Sequence, residues 1–227
     1  MNVQLLTSKL LRTLREDGVQ TTCRRAMAHI SRRRTAEEPA DEFDRLHGTD
    51  TGGREPLWKL SIGSPNARFG ERYEATTAEE LTAALDFLSE DLRNFTFIDL
   101  GCGKGRTLLV ASERGFKRVI GVEFARELAD TAARNLERRQ AVNAIVLHAD
   151  AGDFDFPDDD LVLYMYNPFS EVVVHQMLSR LRASAAKKRY VIYKAPRCAD
   201  VLDASGFLQR HGQPAAAPHM EVWRGHA

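Results

Sequence analysis

Phe97-Ile98-Asp99-Leu100-Gly101-Cys102-Gly103-Lys104-Gly105 is an apolar run that carries one acid near its end and opens into alternating glycines. The run Phe95–Leu100 has the length and composition of a buried strand. The three glycines permit a sharp turn and leave room for a ligand against the backbone. The segment Gly105–Arg114 then has helical spacing, so the stretch reads as strand, tight turn and helix. A helix that starts at such a turn offers free N–H groups to a ligand, which is a general cofactor device of α/β proteins.

Working outward, the same alternation continues. Strands are expected at Arg118–Glu123, Ala144–His148, Leu161–Tyr166 and Arg189–Lys194, and helices at Ala125–Gln140, Glu171–Leu181 and Pro196–Ser205. Phe207–His211 and His219–Arg224 close the chain as two strands with no helix between them, hence an antiparallel hairpin at one edge. Short apolar runs alternating with amphipathic helices are the mark of βαβ units. The fold class is α/β, Rossmann-like, with a mostly parallel sheet and helices on both faces. Upstream, Thr76-Thr77-Ala78-Glu79-Glu80 reads as a capping box, with Leu81, Leu85 and Leu88 on the helix behind it. Residues 1–56 are expected as a basic helical extension (helices at 3–16 and about 19–33) followed by a linker of loops over 35–56. The remainder, 57–227, forms the cofactor domain. The linker contains the small, polar cluster Phe43-Asp44-Arg45-Leu46-His47-Gly48-Thr49-Asp50-Thr51-Gly52-Gly53, in which His47 is a candidate lid residue.

Three details narrow the ligand. A nicotinamide fingerprint, G-x-G-x-x-G, needs glycine at position 106, where Arg106 stands; glycines at 101, 103 and 105 give G-x-G-x-G instead. Asp99 would repel a pyrophosphate but suits an ammonium group, as on the methionyl end of S-adenosylmethionine. The next strand ends in Glu123, about twenty residues on, where a carboxylate accepts both ribose hydroxyls. Asp150, after the third strand, lies where an acid could take the exocyclic amine of adenine. Plainer readings exist for each acid alone: a cap for Asp99, a solvated strand end for Glu123, the start of an acidic loop for Asp150.

Residues 95–194 resemble the core of the class I S-adenosylmethionine-dependent methyltransferases. The resemblance implies a seven-stranded sheet with one antiparallel strand and a site at the carboxyl ends of the parallel strands. Candidate cofactor residues are Tyr73, Thr76, Asp99, Gly101, Cys102, Gly103, Gly105, Glu123, Phe124, Asp150, Ala151 and Asn167. Candidate catalytic residues are Asn167, Pro168 and Phe169, where the fourth strand of the core ends. Carbonyl oxygens there would aim the lone pair of a neutral amine, proline would fix the turn, and Phe169 would wall the target. Asn-Pro-Phe is similar to the Asn/Asp-Pro-Pro-Tyr/Phe motif of amino-group methyltransferases, one proline short. Tyr73-Glu74-Ala75-Thr76 together with Asn167-Pro168-Phe169 is closer to the non-SET protein lysine methyltransferases, with Ala75 where proline is common there. That points to an amine acceptor, protein lysine favoured. A small-molecule O or N acceptor and a non-catalytic cofactor-binding module are the alternatives.

Bulk composition bounds the rest. A formal net charge of zero gives no overall pull toward nucleic acid. The positive charge gathers in residues 1–34, which makes docking of that segment on an anionic surface an alternative to a solvated cap. Cys23, Cys102 and Cys198 have no metal-ligand or disulfide spacing, so no metal is expected, and a reducing, cytoplasmic setting is. No apolar run reaches the roughly 18 residues of a membrane span.

Overall fold

The computed structural model describes residues 41–55, 60, 73–166 and 169–226. The expected N-terminal basic helices, Asn167 and Pro168, and the side chain of Tyr73 lie outside the described residues. In chain order the elements are α1 (Glu42–His47), β1 (Arg54–Glu55), β2 (Tyr73–Glu74), α2 (Ala78–Phe87), β3 (Phe95–Leu100) and α3 (Arg106–Glu113). Then come β4 (Arg118–Glu123), α4 (Arg126–Arg138), β5 (Ala144–His148), β6 (Asp160–Tyr166) and α5 (Glu171–Ala183). β7 (Lys188–Lys194), α6 (Ala199–Asp203), β8 (Leu208–Gly212) and β9 (Met220–His226) complete the chain.

Seven strands form one sheet in the order β5-β4-β3-β6-β7-β9-β8. The first five are parallel, and β9 runs antiparallel to both its neighbours. The closing hairpin is therefore present, with its second strand placed inside the sheet and β8 at the edge. β1 and β2 make a separate two-stranded antiparallel pair.

The sheet is buried on both faces, which is why its central strands read as nearly continuous apolar runs. Alternation along each strand still decides the layer. Phe95 and Phe97 of β3, with Val162 and Tyr164 of β6, pack with Leu81 and Leu85 of α2 and Leu108 and Leu109 of α3. Ile98 and Leu100, with Leu161, Leu163 and Met165, face Val174, Met177 and Leu181 of α5 and Leu202 of α6. The capping box at the start of α2 uses Thr77 with Glu80: the Glu80 amide donates to the Thr77 hydroxyl, and Glu80 accepts from the Thr77 amide.

Residues 35–56 were expected as a linker and loops; the structure corrects this at 42–47, a helix, and at 54–55, a short strand, while 48–53 are loop. Asp41 caps α1, accepting from the Phe43 amide at 3.0 Å, and Gly48 ends the helix in the left-handed region. Acids in the first turn and bases in the last complement the helix dipole. The cap-and-stop pattern was in the sequence, beneath a loop-like composition.

Gly121 of β4 sets how closely the turn after β3 approaches the sheet. A Cβ built on it would lie 2.5 Å from Leu108 Cδ1 and 2.6 Å from Cys102 Sγ. Gly121→Ala is expected to destabilise the fold by about 1–3 kcal/mol, as overpacked cores do. A urea midpoint equal to wild type would show that the turn has slack.

Candidate functional site

The turn between β3 and α3 is shaped by its three glycines, all in the left-handed region: Gly101 at φ +84°, Gly103 at +54° and Gly105 at +86°. That conformation is costly for L side chains, which accounts for the G-x-G-x-G spacing. A Cβ on Gly105 would also meet Ala132 Cβ of α4 at 3.0 Å. The turn is tied to β4. The Gly101 and Cys102 amides both donate to the Val122 carbonyl, at 2.8 and 3.2 Å, and the Gly103 amide donates to Glu123 Oε2 at 2.9 Å.

Asp99 and Glu123 therefore stand at the carboxyl ends of neighbouring strands, each only 3% exposed. Burial pushes the Asp99 carboxyl up to about 7, against the Thr107 hydroxyl that bonds it and with help from the Glu123 charge. Burial likewise raises Glu123 to about 7, against the backbone N–H groups of Ala125, Gly103 and Phe124. Among the described residues no cation pairs with Asp99. Cys102 is buried beside them; burial first, then these two carboxylates, drive its thiol far from ionisation, and it has no nucleophile's environment.

The other candidates gather at the same end of the sheet. Asp150, half-buried after β5, accepts from the Gly152 amide at 2.8 Å and caps a short 3₁₀ turn over Ala151–Asp153, with Ala151 buried. The carbonyl of half-buried Phe124 lies 3.1 Å from His148 Nε2. Thr76 is buried, and its hydroxyl bonds that of Tyr164, 2.5 Å away, on the residue of β6 paired with Asp99. Phe169 is partly buried and packs against the core cluster that includes Ile98, Leu100 and Met165. His47 sits against the ring of Phe43, centroids 4.3 Å apart. The structure thus brings Thr76, Asp99, the glycine turn, Glu123, Phe124, Asp150 and Ala151 to the carboxyl end of the parallel strands.

Beside them a cleft of about 300 Å³ opens at the ends of β6 and β7, lined by Tyr166, Lys194, Pro196, Gln213, Pro218 and His219. Lys194, only 7% exposed, donates to Glu80 Oε2 at 2.6 Å and lies 4.6 Å from the centroid of the Tyr166 ring. Ala195, at φ +49°, carries the wall in a conformation that costs a non-glycine residue roughly 1–2 kcal/mol. Its amide is held by the His219 carbonyl at 2.7 Å.

Sequence reasoning missed Thr107, Gly121 and Asn135. Thr107 and Asn135 are helical polar residues that look solvated until the helix is docked. Gly121 looks like a weak spot in a strand until the turn above it is seen.

Residues 97–188 match the family model described as a methyltransferase domain. A ribosomal protein L11 methyltransferase of Colwellia psychrerythraea is 34% identical over 98 residues, 43% of this chain. The match spans about a third of that relative (32%). Among solved structures, one of a putative RNA methyltransferase from Pyrococcus horikoshii superposes with a TM-score of 0.50. It is 22% identical, over 75% of this chain and 94% of its own, and shows the shared fold. An RNA methyltransferase from Salinibacter ruber, solved with S-adenosyl-L-homocysteine, superposes at 0.48 with 18% identity, over 67% and 92%. Residues 97–188 are thus similar to a methyltransferase domain, a family whose cofactor is S-adenosylmethionine.

The donor set fits that cofactor. Asp99 is a buried carboxylate that, among the described residues, meets the Thr107 hydroxyl and no cation, a match for the methionyl ammonium. Glu123 accepts the Gly103 amide at one oxygen and the Ala125 amide at the other, with the Phe124 N–H also favouring its charge, and a carboxylate's roughly four lone-pair sites leave capacity for a ribose hydroxyl.

Both carboxyls, raised to about 7, bind protons in the folded cofactor-free protein that the unfolded chain has released above pH 4–5. Their contribution to stability thus falls as pH rises from about 4 to 7 and levels off above. Binding an ammonium favours ionised Asp99, so affinity for S-adenosylhomocysteine is expected to rise between pH 6 and 8, with proton release on binding near pH 6.5. Calorimetry in buffers of different ionisation enthalpy measures this. An Asp99→Asn variant with an unchanged pH profile would take Asp99 out of the account.

Proposed function

We propose that this methyltransferase transfers the methyl group to an amine, with protein lysine the favoured acceptor. The observation that carries the reading is where β6 ends. Its register puts Tyr164 opposite Asp99, Tyr166 two residues on lines the cleft, and Asn167-Pro168-Phe169 comes directly after it. In open parallel sheets, ligands meet in the crevice beyond the strand ends.

Bound S-adenosylmethionine supplies an electrophilic methyl carried on a sulfonium. The chain's residues do the rest by positioning. Asp99 would hold the ammonium, Glu123 the ribose hydroxyls and Asp150 the adenine amine, with the glycine turn against the ligand and Tyr73 and Thr76 closing from upstream. The acceptor must arrive neutral, with its lone pair aimed at the methyl carbon and water excluded. Asn167 and the carbonyls around Pro168 are suited to accept its N–H bonds, and Phe169 to wall it. The cleft already accommodates one lysine ammonium, that of Lys194, between a carboxylate and an aromatic face, which is the chemistry a second alkylamine would need. The relative's acceptor, ribosomal protein L11, supports a protein target. A cytoplasmic setting fits such a target. Among the described residues no helix is long and apolar enough to cross a membrane.

The test is transfer of labelled methyl from S-adenosylmethionine in a lysate of the source cell, with wild type and Asn167→Ala. Wild type is expected to label a discrete protein band at lysine. Asn167→Ala should lose roughly 100-fold or more, the scale of removing one positioned polar group from a catalytic site. Label confined to small molecules would overturn the lysine acceptor, and equal labelling by both proteins would overturn the role of Asn167.

A further inference from the structure

Arg106 occupies the first position of α3, the positive end of the helix dipole, where a cation is disfavoured. It is also only 6% exposed. What holds it there is the segment 41–55. Its Nη2 lies 2.7 Å from Asp41 Oδ2 and 3.7 Å from Asp44 Oδ2, its Nε donates to the Thr51 hydroxyl at 2.8 Å, and its guanidinium lies 4.9 Å from the centroid of the Phe43 ring.

Two more ties join the same segment to the glycine turn. Lys104, inside the turn, donates through Nζ to Asp50 Oδ1 at 2.9 Å and to the Gly52 carbonyl at 3.1 Å. Asn135 of α4, 1% exposed, accepts from the Asp50 amide at 3.0 Å and donates at 2.9 Å to both the Asp50 and Lys104 carbonyls. One buried amide thus fastens the turn to the segment. Asp44 shapes the segment from within, accepting from the Thr49 and Thr51 hydroxyls and from the Thr51 and Gly52 amides, at 2.6–2.7 Å. The Thr51 hydroxyl is the relay: fully buried, it donates to Asp44 and accepts from Arg106.

We infer that the segment 41–55 is a working part of the cofactor site, with Asn135 and Thr51 as positioning residues that hold the glycine turn in its ligand-ready shape. Three left-handed glycines in five residues make a turn with many accessible conformations, so an external clamp is what narrows them. The segment's contacts to the turn agree: Asp41, Asp44, Asp50, Thr51 and the Gly52 carbonyl meet Lys104, Arg106 or Asn135, all on or behind it.

The test is calorimetric binding of S-adenosylhomocysteine by the full chain, which needs no knowledge of the acceptor. Thr51→Val keeps the shape and removes the hydroxyl; Thr51→Ser keeps the hydroxyl. Thr51→Val and Asn135→Ala are each expected to weaken binding about tenfold or more, the scale of a lost buried hydrogen bond to a charged partner. Thr51→Ser should stay within about threefold, a methyl's worth. Because both residues act through one clamp, the double variant should lose much less than the product of the two single losses. Melting temperatures, measured alongside, confirm that binding is read well below unfolding. Folded variants that bind as tightly as wild type, or losses that multiply, would overturn the inference. A wild-type chain that fails to bind S-adenosylhomocysteine would instead refute the cofactor assignment itself.

Discussion

Two carboxylates share a dry corner of this protein. Asp99 and Glu123 end adjacent strands, both nearly inaccessible, with no described cation beside Asp99. Burying charge in this way is unfavourable unless hydrogen bonds and partners compensate. Much of the surrounding geometry is the compensation. The glycine turn bends back so that its amides reach β4, the start of α4 turns the Ala125 N–H onto Glu123, and Thr107 reaches down from α3 to Asp99. The turn could not take that path without left-handed glycines, nor lie that low without Gly121 beneath it. Burial thus disfavours charge on both carboxyls of this corner, and an ammonium beside Asp99 would offset that cost.

The sheet and its helices were legible because they depend on local signals. The strands expected at Arg118–Glu123 and Ala144–His148 appear with those bounds, since turn residues bracket them and their apolar faces repeat. α1 was not legible. Its cap, acidic first turn, basic last turn and terminal glycine were all present, but six residues of helix rich in Asp, Glu and Arg look like linker by composition. The position of β9 was half legible: a hairpin was expected at an edge, and only pairing with β7 places it one strand in.

Within the site, the acids and glycines announced themselves by spacing along the chain. Asn135 did not, because its partners, Asp50 and Lys104, lie 85 and 31 residues away. A polar residue on an amphipathic helix carries no mark of what it will face once docked. Arg106 was read for what it was not, a missing third glycine; that a cation is tolerable there depends on carboxylates more than sixty residues earlier. The acids and glycines proposed to meet the cofactor are written in local code. Those that steady them are written in the tertiary fold.

The internal place of β9 also bears on how the protein is made. β7 pairs on one side with β6 over Arg189–Lys194 and on the other with β9 over Lys188–Lys194, the latter in seven residue pairs from His226 to Met220. β8 precedes β9 in the chain and, among the described residues, has β9 as its strand partner. During translation, then, the parallel half can assemble from the amino-terminal side. Meanwhile β7 keeps an open edge and β8 stays unattached until residues 220–226 have emerged. An open edge of that kind pairs readily with the wrong strand. Residues 220–226 therefore act as a latch: until they are seated, the parallel half of the sheet is complete but its β7 edge is open to mispairing.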